Sequence, residues 1–238
     1  MNNIQIKKID SRDKLFSAVA KRCENQLGQS IKNNGQASFI IPGGTTPAPA
    51  FKKLANSNLD WKKISVAQSD ERWVEADHPQ SNQGLTAKTL LIDNASVADY
   101  LPMKNSASST EEGLDECNAS YGQLVSPFSL TMLGMGLDGH VASLFPGSKE
   151  IERGLDLSNQ DLCIAIDANG CEVAGDYPNR MSLTMSAILR SELILLLVTG
   201  KEKLEVIQTA LINNQPLVQP VAAILNQTKI PVEIYWSE

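Results

Sequence analysis

The chain has 238 residues, of which 42% are hydrophobic and 20% charged, and a net charge of −6. At about 150 residues per domain this length fits one large domain or two small ones, and the composition excludes a disordered chain. The acidic balance argues against a sequence-blind nucleic-acid coat, which needs lysine and arginine to neutralise phosphates. No apolar run approaches the ~20 residues of a membrane span, and the opening MNNIQIKKID contains no apolar leader segment.

Leu15, Val19, Cys23, Leu27 and Ile31 recur every four residues, which predicts a helix over 11–33, capped by Asp10 or Ser11 and stopped at Gly35. Ala37–Ile41 reads as a strand ending in Pro-Gly-Gly, followed by a helix with Thr46 as its cap and Pro47 at its first position. Ile64–Gln68 is a second strand, running into Ser69-Asp70-Glu71-Arg72, and Ser81 caps a helix reaching about Ile92. Ser109 and Glu112 have capping-box spacing ahead of the stripe Leu114, Cys117, Tyr121 and Leu124. Pro127 breaks the pattern, and Phe128–Leu133 is a strand that runs into Gly134-Met135-Gly136. Leu162–Ile166, Leu193–Val198 and Val232–Trp236 are further strands, and Leu204, Ile207 and Leu211 mark a helix after Gly200. This alternation predicts a parallel sheet with helices on both faces, in a single domain over 1–238. Asn105–Thr110 reads as a surface loop.

Cys23, Cys117, Cys163 and Cys171 show no CxxC spacing and read as reduced, packed thiols of a cytoplasmic protein. Only His78 and His140 are available for imidazole chemistry, and no metal-ligand spacing surrounds either. Ligands of open α/β sheets bind outside the carboxyl ends of the strands. Those ends carry the unusual residues here: Gly43-Gly44-Thr45-Thr46, Asp70-Glu71-Arg72, Gly134 to His140, and Thr199-Gly200.

Gly43-Gly44-Thr45-Thr46-Pro47, between a strand and a helix, can turn backbone N–H groups and hydroxyls toward a phosphate; a tight turn with a helix cap is the plain structural alternative. It is neither a Walker A loop nor GxGxxG, so it does not imply a nucleotide. Arg72 can grip a phosphate in two-pronged fashion, with an adjacent acid holding the guanidinium, or belong to a solvated turn. In Gly134-Met135-Gly136-Leu137-Asp138-Gly139-His140, glycines surround one acid and one imidazole, and Gly139 permits a turn presenting His140 to a cleft. An imidazole accepts a proton at neutral pH and returns it one step later, with Asp138 orienting it or holding a sugar hydroxyl; a structural histidine satisfied at a turn is the plain alternative. His78, in Asp77-His78-Pro79, reads as a loop residue. An acidic protein that binds an anion needs local cations. Arg72, Arg180 and Lys203 are the first candidates, ahead of Lys201.

The succession IPGGTTP, DERWV, SN, LGMGLDGHVASLFPGS, PNRMSLT and GKEK resembles the 6-phosphogluconolactonase family over almost the whole chain. Its most specific part is DGHVASLFPG, Asp138 to Gly147, whose Ser-Leu-Phe-Pro continuation takes the lactonase form and not that of the related glucosamine-6-phosphate deaminases. Thr45 stands where the family commonly has Ser, and Glu75 where Pro is common. The resemblance implies a Rossmann-like α/β fold and hydrolysis of 6-phospho-D-glucono-1,5-lactone to 6-phospho-D-gluconate in the oxidative pentose phosphate pathway, without cofactor or metal. It points to His140 and Asp138 as the catalytic pair, and to Gly43, Gly44, Thr45, Asp70, Arg72, Arg180 and Lys203 as the residues binding substrate and phosphate. The oxyanion donors are expected at Gly43-Gly44 or in the glycine-rich segment before His140. The only expected partner is the small substrate, with no nucleic acid or membrane; a monomer is expected and an oligomer left open. Two rivals stand beside this reading. One is an isomerase or deaminase of the same fold with Asp70 or Glu71 as base; the other is a sugar-phosphate sensor with no turnover.

Overall fold

A computed structural model of the chain describes residues 4–238; Met1–Asn3, which open the stretch read for a leader, lie outside them. In chain order the elements are β1 (Ile4–Lys8), α1 (Arg12–Asn34), β2 (Ala37–Ile41), α2 (Ala48–Ala55), β3 (Ile64–Gln68), β4 (Asp70–Arg72), α3 (Asn82–Thr89), β5 (Asp99–Leu101), α4 (Thr110–Tyr121), β6 (Leu130–Leu133), α5 (Ile151–Leu155), β7 (Cys163–Asp167), β8 (Asn179–Leu183), α6 (Met185–Ile188), β9 (Ile194–Thr199), α7 (Lys201–Asn213), α8 (Val221–Leu225) and β10 (Val232–Ser237). Between the helices runs a seven-stranded sheet in the order β1-β10-β9-β6-β2-β3-β5, parallel at every junction.

The central strands are apolar on both faces because both faces are covered. Successive side chains of a strand point opposite ways. Phe39, Ile41, Leu195 and Leu197 accordingly pack with Leu15, Leu27 and Phe51 from α1 and α2. Ile40, Leu196 and Val198 pack on the other side with Ile207 of α7 and Val221 of α8. Burying each such side chain contributes roughly 1.5–3 kcal/mol, so these alternating runs set which face of each strand looks where.

Helix ends follow side-chain chemistry, with corrections. Ser11 caps α1 by accepting from the Lys14 N–H, and Gly35 closes it in the left-handed conformation. Pro47, not Thr46, is the cap of α2, which begins at Ala48; a helical Pro47 leaves Thr46 ahead of the first turn. Ser81 does cap α3, but the helix ends at Thr89, short of Ile92. Ser109 accepts from the Glu112 N–H, as a capping box requires, yet the Glu112 carboxylate reaches Ser108 instead of returning to Ser109.

The main departure is a second, three-stranded antiparallel sheet in the order β4-β8-β7. The strand expected at Leu162–Ile166 exists as β7, but it pairs with β8 here and not in the parallel sheet. The Asp70-Glu71-Arg72 segment, expected as a strand end or turn, is itself a strand. Ser69 separates it from β3, and the Ser69 N–H donates to Ile41 O at 2.8 Å. The chain thus leaves one sheet at β3 and enters the other within a single residue, carrying its acidic and basic side chains just beyond the carboxyl end of β3.

Candidate active site

Chain order reverses between β2 and β6. From β2 the chain proceeds through β3 to β5 on one side, then returns to β6, β9 and β10 on the other. The crevice beyond the carboxyl ends of such a pair is where α/β sheets take ligands. A cleft of about 260 Å³ opens there, with Gly43 and Gly44 following β2, Gly134 and Gly136 following β6, and His140 within its wall.

His140 Nδ1 lies 2.6 Å from Asp138 Oδ1, and the His140 backbone N–H donates to the same oxygen at 3.2 Å. An ionised Asp138 therefore holds the ring with its proton on Nδ1. Nε2 has no hydrogen-bond partner among the described residues. Two glycines make the arrangement possible. Gly139 has φ 81°, the left-handed turn that swings His140 back over Asp138. At Gly136 a Cβ would fall 2.2 Å from His140 Nδ1 and 2.4 Å from Asp138 Oδ1. The ring also packs on Phe145, centroids 4.5 Å apart. Burial pushes the Asp138 carboxyl up, but the hydrogen bond and charge of His140 outweigh it and hold the carboxyl below its ordinary value.

The cations line the same cleft. Arg72 and Arg180 are register partners across β4 and β8. Like charges facing each other across an antiparallel pair repel, so this pairing stores positive potential that an anion relieves. Arg180 is buried, and its guanidinium donates to the Tyr177 and Ala174 carbonyls and lies 5.5 Å from the Phe145 ring centroid. Burial lowers its pKa to about 10, with Arg72 pushing the same way and Asp70 and Glu71 opposing, so it remains charged at neutral pH. Lys203, near the start of α7, has its pKa lowered by burial and raised in part by Asp138, and its ammonium makes no ion pair among the described residues. Asp70 lines the cleft, where its carboxylate accepts from the Ser143 hydroxyl at 2.7 Å and the Ser69 hydroxyl at 3.0 Å.

Gly43, Gly44, Asp70, Arg72, Asp138's partner His140, Arg180 and Lys203 are thus brought to one cavity, and Thr45 flanks it between Gly44 and Thr46. One expectation fails. Glu71, the acid beside Arg72, does not hold its guanidinium. Glu71 is buried and accepts from the backbone N–H groups of Asn82, Gln83 and Arg72, each at 2.8 Å, which anchors the N-terminus of α3. Burial raises its pKa against those bonds. Asn82 holds Arg72 instead, accepting from Nη1. Neither Asn82 nor Ser143 was singled out from sequence; both sit inside the motifs SN and DGHVASLFPG. His78 meets Tyr177 in a loop contact, Nε2 to hydroxyl 3.3 Å, and does not line the cleft. The described residues contain no His, Cys, Asp or Glu cluster of metal-binding form, and no helix long and apolar enough to cross a membrane.

The chain is similar to known proteins over nearly its whole length. A 6-phosphogluconolactonase of Caulobacter vibrioides is 36% identical over 235 residues, 99% of this chain and 98% of that protein. One from Xylella fastidiosa is 35% identical over 219 residues, 92% of this chain and 90% of the relative. The crystal structure of a 6-phosphogluconolactonase from Shewanella baltica superposes with a TM-score of 0.93 at 36% identity, covering 98% of this chain and 97% of that one. The family model described as glucosamine-6-phosphate isomerases/6-phosphogluconolactonase matches residues 10–236, and the chain belongs to that family.

Proposed function

We propose that the chain hydrolyses 6-phospho-D-glucono-1,5-lactone to 6-phospho-D-gluconate, the lactone-opening step of the oxidative pentose phosphate pathway, with His140 as general base and acid. The observation that carries this reading is the His140–Asp138 pair at 2.6 Å beside a cleft that His140, Arg72, Arg180 and Lys203 all line. Nε2 of His140 takes a proton from water as the hydroxyl adds to the lactone carbonyl carbon. The negative charge then developing on the carbonyl oxygen is met by backbone N–H groups of the glycine-rich segment before His140. The bond from that carbon to the ring oxygen breaks, and the ring oxygen takes the proton from His140, leaving carboxylic acid and alcohol. Asp138 stabilises the imidazolium between the two transfers; positioned acid–base catalysis of this kind contributes typically 10²–10⁴-fold.

The phosphate is the handle. Arg72, Arg180 and Lys203 hold it, with the Gly43-Gly44-Thr45 turn closing around its oxygens and Asp70 lining the cleft beside them. Binding energy gained there, remote from the carbonyl, orients the ester toward His140. We read residues 1–238 as one α/β domain working as a monomer in the cytoplasm. The direct test follows acid release from the lactone with and without the 6-phosphate, above the spontaneous rate. Acceleration specific to the phosphorylated lactone supports the reading. Ammonia release from glucosamine 6-phosphate, with no lactone hydrolysis, contradicts it.

A further inference from the structure

We infer that Asn82 is a positioning and specificity-determining residue: its neutral amide aims Arg72 while leaving the guanidinium charge free for the substrate's phosphate. The inference rests on the lactonase reading above.

Asn82 is the first residue of α3 and is buried at the cleft wall. Its amide is held on three sides. Nδ2 donates to Asp70 O at 2.8 Å, Oδ1 accepts from Arg72 Nη1, and the backbone of Gly43 packs so closely that a Cβ there would lie 2.0 Å from Oδ1 and 2.3 Å from Nδ2. One side chain therefore joins the turn after β2, the strand β4 and the helix α3 around a single arginine. Arginines of this kind are usually held by carboxylates, and two acids are adjacent in sequence. Both are engaged elsewhere: Glu71 with the N-terminus of α3, and Asp70 with the hydroxyls of Ser69 and Ser143. Among the described residues Arg72 makes no ion pair, and its Nε is buried without a partner. A carboxylate at position 82 would hold the guanidinium equally well but cancel its charge, and an ionised phosphate gains most from an arginine whose charge is uncompensated.

Two variants separate aim from charge. Asn82→Asp keeps an acceptor for Nη1, loses the Nδ2 donor to Asp70 O as Asn82→Ala also does, and adds a negative charge; an acidic residue is tolerated in a first helical turn. Asn82→Ala removes the acceptor and keeps the local charge. The readout is the ratio of kcat/KM for the phosphorylated lactone to that for unphosphorylated glucono-1,5-lactone. Wild type prefers the phosphorylated lactone. Asn82→Asp loses at least about tenfold of this preference, through KM, and Asn82→Ala loses less. An Asn82→Asp loss of preference below about tenfold, or an Ala loss equal to or above the Asp loss, overturns the inference. If Asn82→Asp does not fold, Asn82→Ala alone decides: KM must rise for the phosphorylated lactone only, and equal rises for both lactones mark a merely structural role. Wild-type protein without any preference overturns the lactonase reading itself, and the inference with it.

Discussion

Asp138→Asn removes one charge and no volume from the catalytic pair. Asp138 Oδ1 accepts from both the His140 ring at 2.6 Å and the His140 backbone N–H at 3.2 Å. The backbone donor decides how the amide sits, because an NH₂ group facing it would oppose two N–H groups at once. The amide oxygen therefore takes the place of Oδ1, and the ring keeps its proton on Nδ1. A reversed tautomer, which costs about 10⁴-fold in triads of this kind, is not expected. What is lost is the charge in a hydrogen bond to an imidazolium. Such bonds contribute ~1.5–3 kcal/mol, which at ~1.4 kcal/mol per decade lowers kcat about 10- to 150-fold. Affinity for 6-phosphogluconate is unchanged or slightly tighter, since Asp138 is the negative neighbour of Lys203. Stopped-flow hydrolysis of the phosphorylated lactone gives kcat, and calorimetric titration with 6-phosphogluconate gives affinity. An unchanged kcat, or a loss explained wholly by weaker binding, refutes the reasoning. Stability supplies a check on sign. The Asp138 carboxyl is held below its free value, so its contribution is present above about pH 3.9 and is lost as pH falls through the lower folded value. The variant lacks that acid-side loss.

Two further perturbations probe each end of the cleft. Gly136→Ala drives a Cβ to within 2.2 Å of His140 Nδ1, so the ring moves, kcat falls about 10²-fold, and affinity for 6-phosphogluconate stays; crystallography of the variant shows whether the ring has moved. At the phosphate end, burial lowers the Lys203 pKa. Its ammonium is therefore lost as pH rises toward a value below the ordinary ~10.4, and affinity for 6-phosphogluconate declines on the alkaline side. Lys203→Arg moves that decline to higher pH, and an identical profile in the two proteins removes Lys203 from the phosphate site.

Much of the fold was legible because the central strands are buried on both faces. Ala37–Ile41 and Ile64–Gln68 match β2 and β3 to the residue, since a continuous apolar run bounded by polar or turn residues has few other uses. Edge strands β1 and β5 lack that signal: three of the five residues of Ile4–Lys8 are lysine or glutamine, and Asp99–Leu101 has only three residues. The second sheet was hidden for another reason. Asp70–Arg72 is short and fully charged, and it becomes a strand only through pairing with Asn179–Leu183 more than a hundred residues later. The apolar run of β7 is equally compatible with parallel or antiparallel partners, so its existence could be read but not its sheet.

The site divides the same way. His140 and Asp138 stood out because glycines isolate them, and the arginines because they sit at element ends. The division of labour among the acids was not legible. Glu71 is as close to Arg72 in sequence as a residue can be, yet strand alternation turns it to the opposite face, toward α3. Asn82 follows a Ser cap and reads as an ordinary helix start; its hold on Arg72 exists only because β4 and α3 are folded against each other.

The central claim is that a single imidazole carries the proton traffic while the phosphate end binds independently of it. The measurement that tests this most directly is His140→Ala, assayed in parallel for lactone hydrolysis above the spontaneous rate and for 6-phosphogluconate affinity. The account predicts a loss of about 10²–10⁴-fold in kcat with product affinity within about threefold of wild type. Hydrolysis at the wild-type rate in that variant would contradict it.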